Sequence, residues 1–200
     1  MASTTHNARS RRTRDALLTA GRELLEERGF APLTMAAVAE RAGVSRRAVY
    51  LHFQSRTALV AEIYEHTAEQ EGRTESLRRV WAQTDPVLAL DEWAAHLARY
   101  HTKVLAIDRA VRTARFVDPD AAAYRAEGIA RQRANCRMLI QGLSDAGRLA
   151  DGWTVDTGAD MLWSLLSTDM MDGLLTECGW DTAVLSDRLR LLYRSAFVTA

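Results

Sequence analysis

The chain has 200 residues, 48% of them hydrophobic, with three prolines and a formal net charge of zero. That length suits one compact domain or two small ones with ample core material, and the few prolines and scant strand-like alternation point to an all-helical chain. No apolar run approaches the roughly eighteen residues of a membrane span, and no signal peptide is read at the start, so a cytoplasmic protein is expected.

The zero total hides a gradient. Residues 1–60 hold ten arginines against five acidic residues, roughly +5, and the remainder holds sixteen basic against twenty-one acidic, roughly −5. A basic head on an acidic body is the footprint of a DNA-binding module joined to something that must not bind DNA. Cys136 and Cys178 are too few and too far apart for a disulfide framework or a zinc site, and each is expected to be a free thiol. No metal site and no cofactor is read from the sequence.

In chain order, residues 1–12 are polar and aperiodic and are expected to form a flexible arm. Arg9, Arg11, Arg12 and Arg14 cluster at its end. They suit phosphates or a minor groove, and equally a solvated tail. A first helix is expected from Thr13 to Arg28, with Leu17, Ala20, Leu24 and Leu25 as its apolar stripe and Gly29 as its stop.

The most informative stretch is Thr34 to Phe53. Thr34 is placed to cap a short helix over Met35–Arg41, Gly43 supplies the positive φ of a tight turn, and Ser45 caps a second helix reaching about Leu51. Val38, Ala39, Ala42, Val44 and Val49 fall where two steeply crossing helices would meet. This is the spacing of a helix-turn-helix. The outer face carries Ser45, Arg46, Arg47, Tyr50 and His52, donors suited to phosphates and base edges. An ordinary helical hairpin with solvated arginines is the plainer alternative.

A fourth helix is expected from Ser55 to about Trp81, interrupted near Gly72, with Arg56 in its first turn. Beyond Pro86 come a helix with Leu90, Trp93, Leu97, Tyr100 and Val104 on one stripe, a shorter one from Asp108 to Phe116, and a long one from Asp120 to Ala146. Two more are expected over Val155–Glu177 and Thr182–Val198. Both are apolar on more than one face, so they are expected to pair with their copies in a second subunit through Leu162, Leu166, Val184, Leu185, Leu189, Leu192 and Ala196. Packing as central core helices is the alternative. Glu92, His96 and His101 lie close in sequence, but the zinc-protease pattern, a phosphate-binding glycine loop and a nucleophile elbow are all absent, so no enzyme is expected.

The segment Gly43-Val44-Ser45-x-x-x-Val49-Tyr50-x-His52-Phe53, after a Thr-led helix, resembles the DNA-binding domain of TetR/AcrR-type transcriptional regulators. Leu24-Leu25-x-x-x-Gly29-Phe30 and Leu33-Thr34 match the end of that family's first helix and its link to the second. The match covers about Thr13 to Tyr64. Arg47-Ala48 stands where the family commonly has a small pair, often Gly-Thr, and Arg56-Thr57 where it commonly has Lys-Glu. The operator therefore cannot be carried over from relatives.

The resemblance implies about nine helices: a helix-turn-helix domain over 13–56 and a helical effector-binding and dimerisation domain over 57–200. It implies a homodimer, most simply a repressor, on a palindromic operator in double-stranded DNA. Contacts are expected from Thr34, Ser45, Arg46, Arg47, Tyr50, His52 and Arg56. It also implies release by a small-molecule effector bound among the middle helices, where Trp93, His96, Tyr100, Phe116, Tyr124, Trp163 and Met170 supply aromatic and soft surface. Any one of these could equally be core. The rival reading, a sequence-tolerant DNA-coating protein without an effector, would want positive charge throughout.

Overall fold

The structure, a computed structural model, describes the backbone of residues 2–29, 32–117 and 119–199, with side chains except at 2–7, 101, 106, 110, 120 and 124. Phe30, Asp118 and the side chains of His101 and Tyr124 thus lie outside the described residues. The elements are α1 (Ala2–Arg28), α2 (Met35–Arg41), α3 (Arg46–His52), α4 (Arg56–Gln70), α5 (Arg73–Trp81), α6 (Pro86–Ala114), α7 (Pro119–Asp145), α8 (Val155–Ser164), α9 (Thr168–Asp172), a π-helical turn (Gly173–Glu177) and α10 (Thr182–Phe197). Among the described residues the fold is all-α, with an isolated bridge between Leu149 and Val198 as its one β-type pairing. No described helix is long and apolar enough to cross a membrane.

Three expected boundaries move, each for a local reason. α1 starts at Ala2 rather than Thr13, so the stretch read as an arm is helical. No proline interrupts residues 2–28, and the Thr13 hydroxyl bonds back to the Arg9 carbonyl at 3.1 Å, as a helix-interior threonine does. α6 runs unbroken through Asp108, which is buried and accepts from Arg125 Nη1 at 3.0 Å instead of capping a new helix. The helix expected over Val155–Glu177 is divided. α8 ends at Ser164, Ser167 caps α9 by accepting from Met170 N at 3.4 Å, and the chain then widens into the π turn. The count accordingly rises above nine.

The chain divides into two compact units, residues 1–68 with 106–125, and residues 69–105 with 126–200. The core of the first is built from Leu17, Leu18, Leu24 and Leu25 of α1, Val38 of α2, Val49 of α3, Leu59 and Ile63 of α4, and Ile107 and Val111 of α6. Gly21 explains how α1 and α4 come so close. A Cβ there would lie 2.4 Å from Ile63 Cδ1, and Ile63 is fully buried. Glycine is intrinsically unfavourable in a helix by about 1 kcal/mol relative to alanine, but any larger residue at this crossing would require the buried Ile63 side chain to move.

The second unit packs Leu90, Trp93 and Leu97 of α6, Cys136, Ile140 and Leu143 of α7, Leu162 of α8, Met171 of α9 and Leu185, Leu189, Tyr193 and Phe197 of α10 into one core. Trp153 packs its ring 5.3 Å from Phe197 and donates from Nε1 to the Ala196 carbonyl at 2.7 Å, fastening the loop before α8 to the end of α10. Burial pushes the Cys136 thiol up to about 12, so it behaves as an inert core residue.

Candidate nucleic-acid interface

Local chemistry alone dictates the geometry of α2 and α3. Thr34 has an extended backbone and its Oγ1 accepts from Ala37 N at 3.1 Å; Ser45 does the same for Ala48 N at 3.2 Å. Each hydroxyl satisfies one of the orphan amides of a helix start and keeps its own hydrogen free to donate outward. Between the helices, Gly43 sits at φ +66° and Val44 N returns to the Ala39 carbonyl at 3.0 Å. Val38, Ala39 and Val49 are buried at the crossing, as their spacing predicts.

Four of the seven residues of α3 are exposed: Arg46, Arg47, Tyr50 and Leu51. Positions spaced i, i+1, i+4 and i+5 share one helix face, so this face points out while Val49 points into the core. The Arg46 guanidinium lies 5.7 Å from the Tyr50 ring centroid, a cation–π distance, with Nη2 at 3.5 Å from the Tyr50 hydroxyl. Arg47 meets no carboxylate among the described residues. His52 and Arg56 are half-buried, the His52 ring tilted 6.3 Å from Phe53.

Four glutamates of this unit are occupied elsewhere. Arg41 bonds the Glu27 carboxylate through two nitrogens, at 2.9 and 2.6 Å, and reaches Glu23 at 3.2 Å. Those bonds hold the Glu27 carboxyl below its ordinary range and push the Arg41 guanidinium up. Arg22 pairs with Glu26. Arg14 is bound to Glu62 at 2.7 Å with its guanidinium 5.6 Å from the Phe53 ring, which separates it from the exposed Arg9, Arg11 and Arg12. The positive potential of the unit is therefore carried by Arg46 and Arg47 on α3 and by the arginines near the start of α1. Sequence reasoning placed the caps and the arginines but passed over Leu51 and the Arg41 clamp. The only signal for the clamp was a Glu pair four apart in α1, which faces no particular partner until the fold is known.

In the second unit the expected site residues separate. Trp93, His96 and Tyr100 share a face of α6 and are buried. Trp93 lies 5.3 Å from His96, which stacks on Tyr100 at 5.5 Å and 8°. Ser76 Oγ accepts from Arg99 Nη2 at 3.0 Å, which leaves its hydrogen to donate to His96 Nδ1 at 2.9 Å. Phe116 does not join them: it belongs to the first unit and is 75% exposed, under the Arg115 guanidinium. Trp163 and Met170 are half-buried against the second core. Beside Tyr100, α5 and α6 enclose a cavity of about 330 Å³ that Ser76, Arg79, Arg99, Thr102 and Lys103 help to line. Lys103 is paired with Glu71 at 2.9 Å and Arg99 with Glu92 at 2.6 Å, whereas Arg79 Nε stands 3.6 Å from Glu75, whose oxygens both accept from Arg78.

The residues expected for pairing divide as well: Leu162, Leu166, Leu185 and Leu189 are buried in their own chain's core. An apolar stripe is spent on the nearest core first. What α8 and α10 leave outward is Met161, Val184, Leu191 and Leu192, between 39% and 57% exposed, with Ala196 half-buried.

Known proteins share this geometry. Residues 17–63 match the model of the family described as bacterial regulatory proteins, tetR family. The matched segment is 47 of the chain's 200 residues and holds the helix-turn-helix. The match spans α1 from Leu17 through the helix-turn-helix to Ile63, which holds all of the first core except Ile107 and Val111 of α6. Over 85 residues the chain is 29% identical to the HTH-type transcriptional regulator AcrR of Shigella flexneri, which covers 42% of this chain and 40% of AcrR. Among solved structures, NalD, the secondary repressor of the MexAB-OprM multidrug efflux pump of Pseudomonas aeruginosa, superposes with a TM-score of 0.73 at 24% identity, covering 94% of this chain and 97% of NalD. A protein from Saccharomonospora viridis in complex with choline gives 0.75 at 16% identity, covering 94% and 98%. At such identities these structures establish the fold of the chain beyond residue 63, and the fold alone.

Proposed function

We propose that this chain is a TetR-type DNA-binding transcriptional regulator, a repressor that binds a palindromic operator as a homodimer and is released by a small-molecule effector. The observation that carries the reading is the outward face of α3, where two arginines and a tyrosine stand in the register of a recognition helix with no carboxylate beside them. Arg47, unencumbered, is the residue for guanine N7 and O6; Arg46 with Tyr50, Thr34, Ser45, His52 and Arg56 serve the phosphates on either side. One short helix reads only a few base pairs, and two related by a two-fold axis square that selectivity when they are spaced by a turn of the groove. The outward residues Met161, Val184, Leu191 and Leu192 supply an apolar strip for that pairing.

Support for an effector comes from the cavity beside Tyr100 and from the choline complex of one structural relative. The cavity presents hydroxyls, an aromatic wall and, in Arg79, a cation only loosely paired, a setting for a small molecule carrying a negative group. A hundredfold release from DNA requires a differential binding energy of about 2.7 kcal/mol between the two conformations. The test is to measure the mass of the free protein and of its complex with a duplex selected from a random library. Two protomers in both support the reading, and Leu191→Glu together with Leu192→Glu should then yield a monomer with weakened operator binding. A monomeric wild type on a single half-site would refute the dimer.

A further inference from the structure

We propose that Leu51 reads the methyl group of a thymine in the major groove, fixing a base pair of the half-site close to the one read by Arg47. This rests on the DNA-binding reading above and adds to it a residue and a base. Leu51 is 77% exposed, although it sits in a seven-residue helix whose other apolar residue of comparable bulk, Val49, is completely buried. It packs with neither hydrophobic core. It shares the outward face with Arg46, Arg47 and Tyr50, so it cannot be kept from whatever that face meets. If α3 lies in a major groove, Leu51 lies against base edges. The apolar group displayed there is the C5-methyl of thymine; the rest of the groove offers hydrogen-bond donors and acceptors that a leucine would strand without partners.

Geometry limits which thymine. Leu51 follows Arg47 by one helical turn, so the two side chains leave the same face about 6 Å apart along the helix axis. Set against a base-pair rise of about 3.4 Å, that separation spans at most two steps. The methyl should therefore lie within two base pairs of the guanine held by Arg47. Arg46, drawn over the Tyr50 ring, does not compete for that position.

The experiment uses the full-length protein and the duplex it selects from a random library. Each thymine of the half-site is replaced in turn by deoxyuridine, which removes the methyl and nothing else. For the wild type, one replacement within two base pairs of the Arg47-dependent guanine should weaken binding about fourfold, the worth of one buried methylene-sized group. Leu51→Ala, an exposed change to a better helix former, should bind thymine and uracil duplexes alike at that position. With cytosine placed there, 5-methylation should tighten wild-type binding and leave Leu51→Ala unaffected. The proposal is overturned if the wild type treats thymine and uracil alike at every position, or if Leu51→Ala keeps the same discrimination. A library that yields no selected duplex overturns the DNA-binding reading itself and this inference with it, an outcome distinct from selective binding without methyl discrimination.

Discussion

The two units handle their arginines in opposite ways. In the second, six cations face carboxylates: Arg78 on Glu75, Arg99 on Glu92, Lys103 on Glu71, Arg133 on Asp160, Arg137 on Asp156, Arg194 on Asp91. In the first, Arg41 collects two glutamates of α1 at the base of the bundle, and α3 is left with Arg46 and Arg47 unopposed. Net charge is blind to this difference, because a neutral chain can still present a strongly positive face when its anions are placed elsewhere. Exposed ion pairs add little stability, about 0–1 kcal/mol. Their effect here is to weaken the field of the body relative to that of α3 and the start of α1.

The comparison can be broken or sharpened by substitution. The largest expected effect belongs to the body's core. Phe197→Ala opens a cavity at a fully buried site and should cost about 3–5 kcal/mol in denaturant unfolding. Next, Arg47→Ala should cost about 1–3 kcal/mol of operator affinity and relax the preference at one base position, whereas Arg137→Ala, which breaks a paired arginine of the body, should leave affinity unchanged in the same titration. Equal losses from the two would erase the distinction between the units. Thr34→Ala removes the cap of α2 and should lower stability by about 1 kcal/mol, read as a lower denaturation midpoint. The smallest effect concerns acid. The Glu27 carboxyl is held low in the folded state by its bonds to Arg41, so its contribution is present above the unfolded carboxylate range and lost as pH falls through the folded value. Melting temperature followed from pH 6 to pH 3 should therefore fall less steeply for Glu27→Gln than for the wild type; parallel curves would mean the clamp does not respond to pH.

The sequence was legible wherever the determining signal was local. Thr34, Gly43 and Ser45 act on residues within three or four of themselves, and the helices they bound are found at the expected positions. Signals with two meanings misled. Asp108 reads as a cap until Arg125, distant in sequence, is seen to claim its carboxylate. The apolar positions of α8 and α10 satisfy an interface and a core equally well, and the chain's own core takes the deep stripe. Of the residues grouped by the resemblance whose side chains are described, Trp93, His96 and Tyr100 meet in sequence because they share a face of one helix, while Phe116 lies in the other unit. Long-range fits such as Gly21 under Ile63 left no mark in the sequence beyond a glycine inside a helix.

The most direct test of the central claim is a salt titration of the purified protein on the DNA upstream of its own coding sequence, against a scrambled duplex of equal length. If α3 reads sequence with unpaired arginines, log affinity should fall linearly with log salt on both duplexes, with the upstream site held far more tightly throughout. Equal affinity for the two duplexes from low salt upward, and for every duplex drawn from a random library, would contradict the claim.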